Sequence, residues 1–228
     1  MIEVVIVGEG QTEESFLRDV LGPALAEQEV FLQPRLIWTS STGRGGALSR
    51  DRVIRYLRNS LRERGDVYVA TFFDLYNLAD DFPGVREAMT QRDPLVRARA
   101  IETRLAEVVI EAAGCRPDRF IPHIQPHEFE ALLFTDVSCL AEIRPEWRGL
   151  LAALAAARAA AESPEHIDDG PDSHPSMRLA KILRPRFDKL LHGPQVAARI
   201  GLDRIRRECV HFGRFVARLE ALGAVPDP

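Results

Sequence analysis

Two glutamates follow a short apolar run at the start of the chain. Residues 2–7 read as a strand, Gly8-Glu9-Gly10 as a turn, and Glu13 lies four residues beyond Glu9. A Gly-x-Gly turn between strand and helix is where dinucleotide-binding folds take up a pyrophosphate, but that fingerprint needs a third glycine where Glu13 stands. No Gly-Lys-Ser/Thr follows either, so a nucleotide-phosphate loop is not encoded here. Two carboxylates at this turn repel a phosphate unless a cation lies between them. They suit a divalent metal, and they also suit a first helical turn whose dipole acidic residues complement. Asp74 closes a second apolar run, residues 67–73. Ligands of open α/β sheets bind at such carboxyl ends of strands. Asp80 and Asp81 follow in the next loop and offer further carboxylates. Glu9, Glu13, Asp74 and Asp81 together make an oxygen-rich set suited to Mg2+ or Mn2+. The plainer alternative is that Asp74 caps a turn and Asp80-Asp81 is solvated.

The elements that must position these groups alternate between strand and helix. After the strand at 2–7, Thr12 can cap a helix running to about residue 27, with Phe16, Leu17, Val20 and Leu21 at helical spacing. Strands are expected at 30–38, 67–73 and 120–124, a polar glycine-bearing loop at 39–48, and a helix opened by Ser49 or Asp51. Asp93-Pro94 is an N-cap followed by proline at the first helical position, and Gly114 ends that helix. The β-α-β-α-β-α-β order predicts a mainly parallel sheet with helices on both faces. From about residue 137 the chain reads as helical. The predicted organisation is an α/β core at 1–136 with a helical extension at 137–228. A short amphipathic helix at 127–134 would put His127 and Glu130 on one face and Glu128 on another. There Glu130 completes a metal shell and His127 acts as acid, base or phosphate contact, or both serve to bond neighbouring loops. His123 and His192 read as structural or exposed, and no Ser-His-Asp order is recognisable.

The chain has 228 residues, 46% of them hydrophobic and 28% charged, which excludes collagen-like, coiled-coil and wholly disordered classes. The longest apolar runs fall short of the ~20 residues of a membrane helix. The N-terminus lacks the basic region of a signal peptide. Three widely spaced cysteines, Cys115, Cys139 and Cys209, argue against a disulfide framework. A cytoplasmic setting is expected. The net charge of −4 is unevenly spread. Residues 178–218 hold eleven basic against three acidic side chains, and residues 44–64 seven against two. Such segments face a polyanion or form solvated helix faces.

Glu9-Gly10 after an apolar strand, Glu13 one turn later and an Asp closing a later strand resemble the Toprim domain of topoisomerases, primases and overcoming-lysogenization-defect nucleases. A longer series, from Gly8-Glu9-Gly10-Gln11-Thr12-Glu13-Glu14 through Phe73-Asp74-Leu75-Tyr76, Asp81-Phe82-Pro83-Gly84 and His127-Glu128-Phe129-Glu130 to Cys209-Val210-His211-Phe212, is similar to one bacterial family, domain of unknown function 4276. The resemblance spans nearly the whole chain. It implies a Toprim-like, Rossmann-like fold and a Mg2+- or Mn2+-dependent nuclease, with a partner ATPase in an anti-phage system. Glu9, Glu13 and Asp74 take the metal-binding positions, and Arg44, Arg178, Lys181, Lys189 and His211 stand in the basic segments that would contact nucleic acid. Tyr76 departs from the second Asp of the Toprim Asp-x-Asp pair. That departure leaves either a substitute carboxylate at Asp80 or Asp81, a single metal, or a non-catalytic regulatory subunit.

Overall fold

Val4 and Ile6 point to one side of the first strand and Val5 and Val7 to the other, and all four are buried. A strand apolar on both faces needs a helical layer on each side, and the computed structural model shows this arrangement. It describes residues 1–37, 48–167, 170 and 173–224. The strands are β1 (Ile2–Gly8), β2 (Val30–Leu36), β3 (Tyr68–Asp74), β4 (Phe120–Ile121) and β5 (Ile124–Gln125). Their order is β2-β1-β3-β4, β5 also pairs with β3, and every pairing is parallel. The fold is a Rossmann-like α/β sheet, as the sequence predicts.

The strand expected at 120–124 is split. Pro122 has no N–H to give the ladder, and Thr71 Oγ1 takes the place of a strand partner, accepting from the His123 N–H at 3.0 Å and donating to its carbonyl at 3.1 Å.

After β1 the chain forms α1 (Gln11–Phe16), one π-helical turn (Leu17–Leu21) and α2 (Gly22–Ala26). One face of the sheet is covered by α3 (Arg50–Glu63), α4 (Val85–Ala88) and α5 (Pro94–Ala113), which bury Val53, Leu57, Ile101 and Leu105 against Val69 and Phe73. The other face carries α1 and α2 with the remaining helices: α6 (Ser138–Ile143), α7 (Leu151–Ala160), α8 (Pro175–Ile182), α9 (Lys189–Ile200), α10 (Leu202–Glu208) and α11 (Val210–Gly223). These later helices share one apolar cluster with Val4, Ile6 and Phe72, so they complete the core rather than form a second one. Phe72 in β3 lies within 6.1–6.3 Å of the rings of Phe16, Phe212 and Phe215, which ties α1 and α11 to the central strand.

α9 contains Pro194 and runs through it from an Asp188 cap whose carboxylate accepts from Leu190 and Leu191 N–H. The helix expected at 127–134 is instead a 3-10 segment, Phe129–Asp136. Its residues 129–135 are buried all round, which removes the exposed face that an amphipathic helix would need.

Where α11 crosses α10, a Cβ on Gly213 would lie 2.5 Å from the Arg206 carbonyl oxygen. Helix propensity alone favours Gly→Ala by ~1 kcal/mol. Here Gly213→Ala should lower stability by ~1–3 kcal/mol through overpacking against backbone, and chemical denaturation of both proteins measures the sign.

Candidate metal centre

The carboxyl ends of β1 and β3 lie side by side, because Gly8 pairs with Phe72. The turn after β1 and the end of β3 therefore meet. Glu9 Oε1 accepts from the Asp74 N–H at 2.9 Å, and Asp74 Oδ1 accepts from the Phe129 N–H at 2.9 Å. These two bonds stitch the β1 turn, β3 and the 3-10 segment into one acidic crevice.

Glu13 stands at the third helical position after the Gly10 cap, and its carboxylate folds back on that turn, toward the Gly10 N–H. A Cβ on residue 10 would lie 2.6 Å from Glu13 Oε2, so any larger residue there would displace this carboxylate from the turn. Glu13 thus serves as helix cap and as a crevice carboxylate at once.

Glu130 Oε1 is buried and has no hydrogen-bond partner among the described residues; the nearest cation, Lys189 Nζ, is 4.0 Å away. Glu128 is also buried beside this group, contrary to the helical-face expectation. Residue 128 is extended rather than helical, so its side chain turns inward. It accepts from the Ser176 hydroxyl at 3.0 Å and from the Ser176 N–H, and lies 3.1 Å from His174 Nδ1.

Five carboxyl groups thus surround one ammonium. Burial, then Glu13, pushes Glu9 up to about 8. Burial, then Glu128, pushes Glu130 up to about 8. Asp74 is raised well above its ordinary value by burial and then by Glu13, Glu9, Glu130 and Glu128, and burial raises Glu13 as well. Burial alone would lower Lys189, but Glu130, Glu13, Asp74 and Glu128 outweigh it and raise it. A buried carboxylate oxygen without a donor and an excess of acid over base are what a hard divalent cation would satisfy. Glu9, Glu13, Asp74 and Glu130 offer the right donor type, but no three of their oxygens stand within 4.8 Å of one another, so they would have to draw together around an ion.

The other expected residues fall elsewhere. Asp81 is exposed and lines a separate cleft with Arg50, Arg86 and Arg104, because the 3-10 turn at Leu75–Asn77 and the loop after it carry the chain away from the crevice. Tyr76, half-exposed, stacks on His174 at 5.0 Å. His127 is buried with a left-handed backbone (φ 62°), and its carbonyl accepts from the Tyr76 N–H at 3.0 Å.

Among the basic candidates, Lys189 borders the crevice. Arg178 and Lys181 lie on α8, which also supplies Ser176, and Arg178 Nε donates to the Ser173 carbonyl. Arg44 lies outside the described residues. His211 is buried, with Nε2 2.7 Å from Glu102 Oε1, so it is not a surface phosphate contact. Among the described residues, much of the remaining basic charge of the two segments is engaged elsewhere. Arg62 donates to the Ala112 and Ala113 carbonyls, and Arg64, Arg199, Arg204 and Arg206 pair with Asp66, Glu142, Asp136 and Glu220.

Sequence reasoning missed Glu102 and set His123 aside as structural or exposed. His123 is buried, and burial and then His211 hold it well below the usual imidazole range. Among the described residues, Glu102, His123 and His211 bring three potential ligand atoms within 4.8 Å of one another. Only the fold brings α5, the β4–β5 joint and α11 together, so spacing along the chain held no signal for this group.

The fold and crevice define a Rossmann-like α/β protein with buried carboxylates at the carboxyl ends of β1 and β3. The family model described as "Domain of unknown function (DUF4276)" matches residues 8–220, and the chain belongs to that family. No curated protein and no solved structure matches it. Among the described residues, no helix is long and apolar enough to cross a membrane.

Unfolded, these acids ionise near 4.5, whereas folded Glu9 and Glu130 hold their protons to about 8. Between those values the folded chain binds more protons than the unfolded one, so stability falls as pH rises. The melting temperature of the metal-free protein should therefore drop from pH 5 to pH 8. Glu130→Gln should flatten that slope, and added Mn2+ should raise the melting temperature more at pH 8 than at pH 6. Melting curves at these pH values provide the check.

Proposed function

We propose that this protein is a divalent-metal-dependent phosphodiesterase acting on nucleic acid. The observation that carries the reading is the convergence of Glu9, Glu13, Asp74 and Glu130 on one crevice bordered by Lys189. The Toprim-like order of the motifs supports it. Glu9, Glu13, Asp74 and Glu130 would hold Mg2+ or Mn2+, which when bound polarises a phosphate and activates a water. Lys189 supplies the positive charge that receives a phosphate oxygen beside these acids. Glu9 has an alternative role: held off the metal by its bond from the Asp74 N–H, it would keep its proton and deliver it to the leaving oxygen instead of ligating.

Beside Lys189 opens a cleft of about 670 Å3 lined by Ser176, Met177, Arg186 and Phe187. Ser176 links it to Glu128 and Lys189 links it to Glu130. Its mixture of cationic and apolar groups suits a nucleic-acid strand, with backbone contacts that position it without reading sequence.

A second reading is favoured by Tyr76, which stands where the Toprim pattern has its second Asp and leaves the crevice without a carboxylate from that position. In this reading the chain is a non-catalytic regulatory subunit, for which the family resemblance suggests an ATPase partner in anti-phage defence.

Cleavage of labelled DNA and RNA strands in Mg2+ and in Mn2+ separates the two. Metal-dependent cleavage is expected, reduced at least about a hundredfold by Glu9→Gln or Asp74→Asn. Lys189→Ala should weaken strand binding and lessen its salt dependence. Nucleic-acid binding without cleavage in either metal, unchanged by Asp74→Asn, would establish the regulatory reading instead.

A further inference from the structure

A second cluster shares no side chain with the acidic crevice. Glu102 lies midway along α5, His123 between β4 and β5, and His211 in the first turn of α11. They meet where the two helical layers close over the β4 edge of the sheet. His211 Nε2 is 2.7 Å and His123 Nδ1 3.6 Å from the same oxygen, Glu102 Oε1. That oxygen also accepts from the Ile124 N–H at 2.9 Å. Both imidazoles are at most 4% exposed.

The surroundings hold the rings in a ligating pose. His123 stacks on Phe215 at 4.4 Å and on His211 at 5.1 Å. Its Nε2 lies 3.2 Å from Gln125 Oε1. An amide oxygen there takes a proton from Nε2, which leaves the Nδ1 lone pair aimed at the Glu102 carboxylate. Metal-bound histidines are oriented by such a partner on the far ring nitrogen. The hydrogen bonds also do not close within the cluster: His211 Nδ1 and Gln125 Nε2 are buried without a partner among the described residues. An ion held by His211 Nε2 and His123 Nδ1 would satisfy neither atom, so the orienting contact belongs to His123 alone.

We propose that Glu102, His123 and His211 form a metal centre for a borderline divalent cation of the zinc type. Two imidazoles and one carboxylate match zinc and related transition metals and not magnesium. In a tetrahedral shell with bonds of ~2.0–2.1 Å, ligand atoms stand ~3.3 Å apart. The contacts of 2.7 and 3.6 Å to the carboxylate bracket that separation, and all three ligand atoms lie within 4.8 Å of one another, so adjustment of the side chains admits the ion. Its entry displaces the proton between His211 and Glu102.

The fourth position faces a cleft of about 170 Å3 whose cationic lining is Arg99, Arg214 and Arg218. One carboxylate leaves a divalent ion with an excess positive charge, which these arginines oppose. A hydroxide or an oxyanion such as phosphate therefore completes the shell, and the same arginines hold it.

The test is zinc affinity of the full chain, by competition with a chromophoric chelator after metal removal. With Mg2+ in excess to occupy the acidic crevice, one zinc ion per chain should bind. Glu102→Gln and His211→Gln should each weaken it at least about tenfold, while Glu9→Gln leaves it unchanged. Substituted Co2+ should give the visible bands of a four-coordinate site. X-ray absorption at the zinc edge of the unaltered chain should count two imidazoles, and that result does not depend on the variants folding. Zinc binding that Glu9→Gln abolishes, an oxygen-only shell, or no stoichiometric zinc on the unaltered chain would overturn the proposal.

Discussion

Carboxyl groups taken out of water beside one another set the terms for the rest of this structure. Each of Glu9, Glu13, Asp74 and Glu130 is raised by burial before any neighbour acts on it. Such groups survive in a fold only where backbone donors, a counter-charge or an ion compensates. The surrounding elements supply the first two. β3 and the 3-10 segment present backbone N–H groups to Glu9 and Asp74, and α9 brings Lys189. The remaining imbalance is negative, and it is the physical basis for expecting a cation.

This requirement explains why the helices after residue 136 cannot be read as an appendage. α8 supplies the Ser176 hydroxyl and N–H that fix Glu128, and α9 supplies the ammonium beside Glu130. Both helices bury apolar residues in the cluster that contains β1 and β3. Packing and electrostatics therefore act through the same elements: whatever loosens α9 from α1 also removes the counter-charge from the crevice.

The two candidate centres differ in chemistry in a way the fold makes plain. The crevice at the β1 and β3 ends offers only oxygen and suits a hard cation. The Glu102 cluster offers two imidazoles and one carboxylate and suits a softer one. Asp74 and Gln125 are register partners in β3 and β5. Gln125 also orients His123, so a single pair of neighbouring strand residues serves both places.

Local pattern determined the strand order along the chain, the α5 boundaries at Asp93-Pro94 and Gly114, and the candidacy of Glu9, Glu13 and Asp74, whereas Glu130 depended on a helical face that the 3-10 segment does not form. Each of these rests on periodicity, on capping chemistry or on position at the end of an apolar strand. The apolar strands buried on both faces likewise required helices on each side. Only the tertiary structure decided the rest. Asp81, close to Asp74 in sequence, is led away by the turn that follows β3. Glu128 turns inward because an extended residue precedes a 3-10 segment, where helical phase does not apply. Lys189 moves from a general basic segment to a single counter-charge, and His211 from a phosphate contact to a buried partner of Glu102. Distance along the chain carries no information about which residues of α5, the β4–β5 joint and α11 will share a few ångströms, because sheet register and helix crossing fix that contact together.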